Sequence, residues 1–474
     1  MTYPEESRPM EVADLKERID QLSEEIHSRY EAKMEVNEDL DRKLVSFQAN
    51  KKKPFYRWFK YKEAFSADLV EYCFDEVGLD SGHVFDPFAG VGTTLFASRD
   101  LGLDSTGVEL LPPVYDFIEV RKDIESSDRS EIQDKLKDWI QNEYWKESDS
   151  KEEINHINIT FGAYPEESKE ELSKYLAALN REDAPIVRNA LRFAAYCVLE
   201  DISYTRKDGQ FLRWDGRAKR HNSKWRKPNI KGFSDAVKEK LSQIREDLSR
   251  TGSLFENGRK WERGEMNIIQ GSVLEELPSL ESGTYDGIMT SPPYCNRYDY
   301  TRTYALELAL MGLGEDDVKD LRQTMLSCTV ENKRKELSEV GSLLSESDAV
   351  FQEQDLIQSI VSHFKQLRKE GELNNNGIPR MVENYFREMA LVIFECARVL
   401  KPGAPFIMVN DNVRYQGVVI PVDLILSDIA ESAGFETEKV WILPRGKGNS
   451  SQQMGEYGRQ EVRKCVYTWR KSTG

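Results

Sequence analysis

The stretch AFSADLVEYCFDEVGLDSGHVFDPFAGVGTTLFASRDLGLDSTGVEL, residues 64–110, decides the fold of this chain. Its apolar periodicity and its turn residues predict a helix, a short apolar strand, a glycine-rich turn, a second helix and a second strand, in that order. A strand, a helix and a strand in succession form the first βαβ unit of a doubly wound sheet. The expected fold class is therefore α/β.

Further strand and helix signals return only from Met266 onward. Strands are predicted in MNIIQ, YDGIM, APFIMVN, TEKVWILP and RKCVYTW, and helices in ENYFREMALVIFECARVL and PVDLILSDIAESAGF. The α/β domain is thus expected in three pieces, residues 51–112, 266–300 and 381–474. Two mostly helical insertions, 113–265 and 301–380, separate these pieces, and residues 1–50 precede them.

The composition is that of a folded protein without a membrane span. Of 474 residues, 39% are hydrophobic and 31% charged, which is enough for a sizeable core. No stretch approaches the roughly 18 to 20 apolar residues of a membrane helix, and the N-terminus lacks the basic and apolar regions of a signal peptide. The six cysteines lie far apart with no Cys/His ligand spacing. We therefore expect a cytoplasmic protein with single thiols and no metal site.

Residues 1–50 contain an amphipathic helix. Its apolar positions step by three and four residues along Val12, Leu15, Ile19, Leu22 and Ile26. This spacing predicts a short coiled coil that would pair two copies of the chain, and equally a helix docked on its own domain.

A glycine-rich turn follows the first strand in DPFAGVGTT, residues 86–94. Gly90 and Gly92 would let the backbone pass close to a ligand before a helix begins near Thr93. The turn lacks the third glycine of the dinucleotide fingerprint and the Gly-Lys-Ser/Thr ending of a P-loop, which favours a cofactor without a pyrophosphate. About 17 residues past Gly92, Glu109 ends the second strand, where a carboxylate can accept hydrogen bonds from a ribose diol.

A second motif, TSPPY at residues 290–294, directly follows the apolar strand YDGIM. It is expected at the carboxyl edge of the sheet beside the glycine-rich turn, where open α/β sheets bind ligands. Its two prolines fix an extended backbone without N–H groups. Ser291 Oγ and the Pro292 carbonyl would accept the two hydrogens of an exocyclic amine and so localise the nitrogen lone pair. Tyr294 would stack on a base taken out of its duplex.

With these motifs the chain resembles the S-adenosylmethionine-dependent DNA amino-methyltransferases, in the form typical of cytosine-N4 enzymes. DPFAGVGTT is similar to their cofactor motif, GVEL to their ribose-binding strand end, TSPPY to their catalytic motif, and FKYKEAFSADLVEY to the segment that closes over the methionine end of the cofactor. The resemblance implies a Rossmann-like methyltransferase sheet, mostly parallel with an antiparallel last strand. It also implies that the cofactor is S-adenosylmethionine.

The resemblance assigns roles to two sets of residues. The catalytic residues would be Ser291, Pro292, Pro293 and Tyr294. The cofactor-binding residues would be Phe65, Asp86, Pro87, Phe88, Gly90, Gly92, Thr93, Glu109, Leu110 and Ser272. Ser272 stands where the family usually has Asp near the cofactor adenine.

Other functions compete with cytosine-N4 methylation. A cytosine-C5 enzyme needs a thiol directly after a proline, whereas Tyr294 stands between Pro293 and Cys295. Adenine-N6 methylation uses the same amine chemistry but usually carries Asp at the position of Ser291. Enzymes acting on RNA bases or on protein glutamine typically have Asn before Pro-Pro-Tyr. A non-catalytic DNA-binding regulator that keeps the fold is a further alternative, against which the intact motif argues.

Positive charge is concentrated in RKDGQFLRWDGRAKRHNSKWRKPNIK, residues 206–231. Ten Lys or Arg against two Asp give this stretch a charge of +8 in a chain whose net charge is −17. Aromatic side chains among the cations are typical of phosphate contact and base stacking. We therefore expect target recognition in the 113–265 insertion. The candidate contacts to double-stranded DNA are Arg206, Lys207, Arg213, Trp214, Arg217, Lys219, Arg220, Lys224, Arg226 and Lys227.

Two further sequence features bear on partners. The loop 445–459 between the last two predicted strands is polar and glycine-rich, and is a second candidate for DNA contact. We find no nuclease-like cluster of metal-binding carboxylates, so any restriction or defence partner would be a separate protein.

Overall fold

The computed structural model describes residues 11–208, 211–214, 230–250, 263–337, 343–444 and 462–473. Within these ranges no helix is long and apolar enough to cross a membrane. The helices are α1 Val12–Tyr30, α2 Ala67–Val77, α3 Thr93–Asp100, α4 Pro112–Ser126, α5 Arg129–Asn142, α6 Glu166–Leu179, α7 Pro185–Ile202, α8 Phe233–Leu248, α9 Val273–Glu276, α10 Tyr300–Thr303, α11 Ala305–Leu310, α12 Glu315–Thr324, α13 Leu344–Glu353, α14 Asp355–Glu370, α15 Ile378–Val399 and α16 Val422–Ser432. The strands are β1 Met34–Val36, β2 His83–Asp86, β3 Asp104–Glu109, β4 Thr205–Asp208, β5 Phe211–Trp214, β6 Met266–Gln270, β7 Gly287–Thr290, β8 Pro405–Asp411, β9 Val413–Tyr415, β10 Val418–Ile420, β11 Phe435–Ile442 and β12 Lys464–Lys471.

The chain forms two compact units. Unit 1 comprises Met1–Asp41, Leu274–Arg297 and Leu326–Gly474, and unit 2 comprises Arg42–Val273 and Tyr298–Met325. Both units combine parallel strands with helices, which confirms the α/β class.

Unit 1 contains strands in the order β1-β11-β12-β8-β7. The pairs β1–β11 and β7–β8 are parallel, whereas β12 runs antiparallel to both β11 and β8. The last strand is therefore antiparallel, as the resemblance implied. The short edge strand β1 was not predicted, because three residues are too few for an apolar alternation to be recognised.

Unit 2 contains the parallel strands β2-β3-β6 and the βαβ unit predicted over residues 64–110. Ser66 caps α2 by accepting a hydrogen bond from the Leu69 N–H at 3.1 Å. Gly78 ends the helix in the left-handed conformation, with φ +71°. Local chemistry therefore sets both ends of the helix that precedes the cofactor turn.

The helices of the 113–265 region share one hydrophobic core with the segment that precedes α2. The ring of Phe59 lies 4.2 Å from that of Phe117 on α4, and Phe117 lies 5.1 Å from Phe193 on α7, centroid to centroid. The same buried cluster extends to Val237 on α8 and Leu308 on α11. In the structure this helical region therefore groups with the first βαβ unit rather than standing apart from it.

Helix α1 docks within its own unit. Leu15, Ile19, Ile26 and Tyr30 are buried, and the helix contacts α14 and α16. Polar contacts reinforce this packing, because Arg18 Nε donates to Ser359 Oγ at 3.3 Å. The apolar stripe packs within the chain, which is the docked helix, one of the two alternatives that its spacing predicts; the coiled-coil homodimer stays a prediction.

Candidate functional site

The glycine-rich turn joins β2 to α3 in unit 2. Gly90 and Gly92 both adopt left-handed conformations, with φ +53° and +72°. A Cβ at Gly90 would lie 3.2 Å from Cε1 of Tyr61, and a Cβ at Gly92 would lie 3.1 Å from Cε2 of Phe96. Glycine is therefore required at both positions by conformation and by space.

Two acidic residues hold the turn. Asp86 Oδ1 accepts the Phe88 N–H at 3.0 Å, and Glu109 Oε1 accepts the Leu111 N–H at 2.7 Å. Burial raises the pKa of Glu109 to about 8, although backbone donors, including the Gly90 N–H, act in the opposite direction. The carboxyl group of Glu109 is thus placed at the end of β3 and tied to the turn itself.

The residues around this turn leave polar groups that a ligand could bind. Thr93 Oγ1 at the start of α3 is buried without a hydrogen-bond partner among the described residues. The first N–H groups of a helix also lack partners within that helix. A buried carboxyl, an unsatisfied hydroxyl and a turn that only glycine can form together make a polar cradle for a ligand. The remaining candidates lie beside it, with Pro87 buried and Phe88 and Leu110 partly exposed.

Two expected cofactor residues are engaged with protein atoms. Phe65 is buried, and its carbonyl accepts the Asn50 side-chain N–H at 3.0 Å. Ser272 is also buried, and its hydroxyl donates to the Thr324 carbonyl at 3.1 Å. The Ser272 hydroxyl thus donates its hydrogen to the carbonyl of the last residue of α12, which limits Ser272 to accepting a hydrogen bond from a ligand.

The TSPPY motif lies in unit 1 at the carboxyl end of β7. This strand pairs in parallel with β8, from Ile288 opposite Phe406 to Thr290 opposite Met408. The residues that follow both strands therefore leave at one edge of the sheet, and they include Asn412. Pro292 is buried, and Pro293 is partly exposed.

The hydroxyl groups of the motif interact with each other. Ser291 Oγ donates to Tyr294 Oη at 3.2 Å. A hydroxyl that has donated its only hydrogen offers lone pairs alone, which is the state needed to accept a hydrogen from an amine. Burial, followed by the charge of Asp411, raises the pKa of Tyr294 above its usual value, so its phenol stays protonated.

The loop after the motif is held through its carbonyl groups. Tyr415 Oη donates to the Cys295 carbonyl at 2.6 Å, and Arg297 lies with its guanidinium 5.7 Å from the centroid of the Tyr415 ring. Arg297 adopts φ +66°, an uncommon conformation for a residue other than glycine. Because two prolines remove N–H groups from the motif, capture of a neighbouring carbonyl is an effective way to fix this loop.

Cysteine chemistry is not favoured at this site. Burial raises the pKa of the Cys295 thiol well above its usual value, so the thiolate that a nucleophile needs is disfavoured. All six cysteines of the chain are free thiols. Among the described residues, no group of three or more His, Cys, Asp or Glu side chains could hold a metal ion.

The basic segment begins with a β-hairpin, β4–β5, in unit 2. Arg206 lies directly opposite Arg213 across the two strands. The guanidinium of Arg213 lies 4.6 Å from the centroid of the Phe211 ring, and Trp214 is 39% exposed. The other expected DNA contacts, Arg217, Lys219, Arg220, Lys224, Arg226 and Lys227, lie outside the described residues, as does the loop 445–459.

Lys207 is placed differently from the expectation. It is buried, and its Nζ lies 2.6 Å from Oε1 of Glu307, which is buried too. Strand alternation turns Lys207 away from the face that carries Arg206 and Arg213. In the structure Lys207 therefore forms one half of an internal ion pair.

Three supporting residues were not identified from the sequence. Tyr61 lies against Gly90 and stacks on Tyr304 with a centroid distance of 5.2 Å. Its position in the FKYKEAF segment was the one signal that could have identified it. Glu307 and Tyr415 carry no such signal, because each contacts a residue about 100 positions or more away in the sequence.

Comparison with known proteins finds relatives that are all type II methyltransferases. The chain is 49% identical over 462 residues to the type II methyltransferase M.AvaI of Nostoc sp. and of Anabaena variabilis, covering 96% of this chain and 94% of the relative. It is 39% identical over 469 residues to the type II methyltransferase M.BsoBI of Geobacillus stearothermophilus, covering 94% of this chain and 91% of the relative. No family profile matches the chain.

Proposed function

This chain belongs to the type II methyltransferases, and we propose that it is a site-specific DNA methyltransferase acting on the exocyclic N4 amine of cytosine. In this proposal the methyl donor is S-adenosylmethionine and the substrate is double-stranded DNA in the cytoplasm. The protein would be the modification half of a restriction-modification pair whose nuclease is a separate protein. The observation that carries the proposal is the Ser291–Tyr294 hydrogen bond on a Pro-Pro loop.

The cradle in unit 2 supports the choice of cofactor. S-adenosylmethionine supplies a methyl group on positively charged sulfur. Glu109 would accept hydrogen bonds from the ribose hydroxyls, and Thr93 Oγ1 would gain the hydrogen-bond partner that it lacks. Gly90 and Gly92 would keep side-chain atoms out of the space that the cofactor occupies. A Rossmann-like methyltransferase sheet is the fold in which this arrangement is expected.

The TSPPY motif supports an amine as the acceptor. Ser291 Oγ and the Pro292 carbonyl would each accept one amine hydrogen, which draws the nitrogen toward tetrahedral geometry and localises its lone pair. Tyr294 would stack on the flipped base, and its protonated hydroxyl would keep the Ser291 lone pairs directed to the amine. The chain would thus orient the nucleophile. The proton that the nitrogen loses after it gains the methyl group would pass to water, since Ser291 and Tyr294 are both neutral hydroxyls.

The motif favours cytosine over its competitors. Adenine-N6 enzymes usually have an anionic Asp at the position of Ser291, whereas this chain has a neutral hydroxyl there. Cytosine-C5 chemistry would need a thiolate, which the buried Cys295 disfavours. The complete motif also speaks against a non-catalytic regulator.

The outward face of the hairpin supports DNA as the substrate. Arg206 and Arg213 lie directly opposite each other across the two strands, so this face presents two guanidinium groups that can contact the phosphates of a DNA backbone. Phe211 lies on this face and adds aromatic surface for stacking, and Trp214, at the end of β5, is 39% exposed. We therefore place target recognition in the 113–265 region, with Arg206, Arg213 and Trp214 as its described contacts.

A methyl-transfer assay tests the proposal. Transfer of a labelled methyl group to duplex DNA should fall at least about tenfold in Ser291→Ala and in Tyr294→Ala, while cofactor affinity stays unchanged. Tyr294→Phe is the matched control, since it keeps the stacking ring and should retain more activity than Tyr294→Ala. If both alanine variants lose cofactor affinity as much as turnover, the separation of roles between motif and cradle is wrong.

A further inference from the structure

The β4–β5 hairpin is anchored through one buried charge. Lys207 is 5% exposed and Glu307 1% exposed, and their side chains form an ion pair at 2.6 Å. The Lys207 ammonium also lies 4.0 Å from the centroid of the Tyr304 ring. These contacts join the middle of β4 to α11 and to the residue that immediately precedes it.

Both backbone groups of Lys207 are also held by side chains. Its N–H donates to Oε1 of Glu200 on α7 at 3.1 Å, and its carbonyl accepts a hydrogen bond from Lys62 Nζ. One residue of β4 is therefore fixed at its amide, its carbonyl and its side chain. A hairpin attached in this way has little freedom to shift along the strand or to rotate.

Strand geometry links this anchor to the face proposed to bind DNA. Successive residues of a strand point to opposite faces, and a shift of one residue would exchange the two faces. Leu212, which pairs with Lys207, is buried, whereas Arg213 is exposed. Because the Lys207 side chain is held on the buried face of the hairpin, Arg206 and Arg213 are held on the opposite face.

A buried ion pair is costly to form and is weak evidence for stability alone. Removing charges from water costs several kcal/mol per ion, and well-packed apolar residues often replace such pairs without loss. What a buried pair can supply is a unique arrangement, because a shifted hairpin would leave both charges uncompensated.

We propose that Lys207 and Glu307 are positioning residues that fix the register and orientation of the β4–β5 hairpin for DNA recognition, and that Lys207 does not itself contact phosphate. This inference rests on the proposed DNA methyltransferase function. The alternative is that Lys207 leaves its pocket when DNA binds and contacts a phosphate directly.

Glu307→Gln separates these two roles by the sign of its effect. It removes a negative charge from a protein that binds a polyanion, so a freed Lys207 that contacts DNA would bind as tightly as before or more tightly. If Lys207 and Glu307 instead position the hairpin, DNA affinity should fall in Glu307→Gln. We expect DNA affinity to fall roughly tenfold in Glu307→Gln, with KM for DNA raised and kcat at saturating DNA largely kept.

The double variant Lys207→Met with Glu307→Leu tests whether the ammonium itself is needed. It replaces the ion pair by apolar side chains of similar size, so we expect DNA affinity to recover from that of either single variant toward the wild-type value. The slope of log affinity against log salt should equal that of the wild type. Loss of a direct phosphate contact would instead reduce this slope by about 0.9.

DNA affinity is measured across a salt series by fluorescence anisotropy on the full chain, with cofactor affinity as the check on folding. Arg213→Ala, which removes a proposed direct contact, should flatten the slope and serves as the positive control. The inference is overturned if Glu307→Gln binds DNA at least as well as the wild type, or if the double variant has the flattened slope. A wild-type protein that neither binds nor methylates DNA would instead refute the proposed function.

Discussion

At the scale of single residues, Glu109 has a carboxyl pKa that its surroundings change strongly. A carboxyl with an ordinary pKa of 4.5 is held at about 8 by burial, against the opposing effect of the backbone N–H groups that it accepts. Because the folded-state pKa is raised, the folded protein prefers the protonated form. The associated stability is fully present below about pH 4.5 and is lost as the pH rises toward 8.

This raised pKa gives a prediction for Glu109→Gln. In the cofactor-free protein the free energy of unfolding of the wild type should fall between pH 5 and 8 relative to that of the variant, at about 1.4 kcal/mol per unit of pKa difference at most. Wild-type affinity for S-adenosylmethionine should rise over the same range, because an ionised carboxylate is the stronger acceptor. Denaturant titration and calorimetry at several pH values measure both, and parallel pH curves for the two proteins would contradict the assignment.

At the scale of elements, α1 shows how an apolar stripe can have two uses. The steps of three and four residues satisfy a coiled coil and a docked helix equally, and the choice depends on surfaces elsewhere in the chain. Here α14 and α16 supply those surfaces. The sequence of α1 alone contains no information about them.

The docked position of α1 gives a prediction for its buried residue Ile19. Ile19→Ala should lower the free energy of unfolding by about 2–5 kcal/mol, with a melting temperature independent of protein concentration. Glu24→Ala, on the exposed face of the same helix, should change stability by less than about 0.5 kcal/mol. A melting temperature that rises with protein concentration in the wild type would restore the coiled-coil dimer.

At the scale of the whole molecule, the features that could be predicted are those that depend on residues close together in the sequence. The βαβ unit over residues 64–110 and the TSPPY loop depend on local periodicity, glycine and proline, and these were predicted. The ion pair of Lys207 with Glu307 joins residues 100 positions apart, so Lys207 was interpreted as a surface cation. Contacts of this kind depend on how helices and strands are arranged, which a single sequence does not display.

The identity of the methylated base is the most direct test of the central claim. Duplex DNA is incubated with the wild-type protein and S-adenosylmethionine, digested to nucleosides and analysed by mass spectrometry, with Tyr294→Ala as the inactive control. The account predicts N4-methylcytosine in the wild-type sample, because a neutral Ser291 and the Pro-Pro loop hold an exocyclic amine and Cys295 stays a thiol. N6-methyladenine or 5-methylcytosine as the product would contradict it.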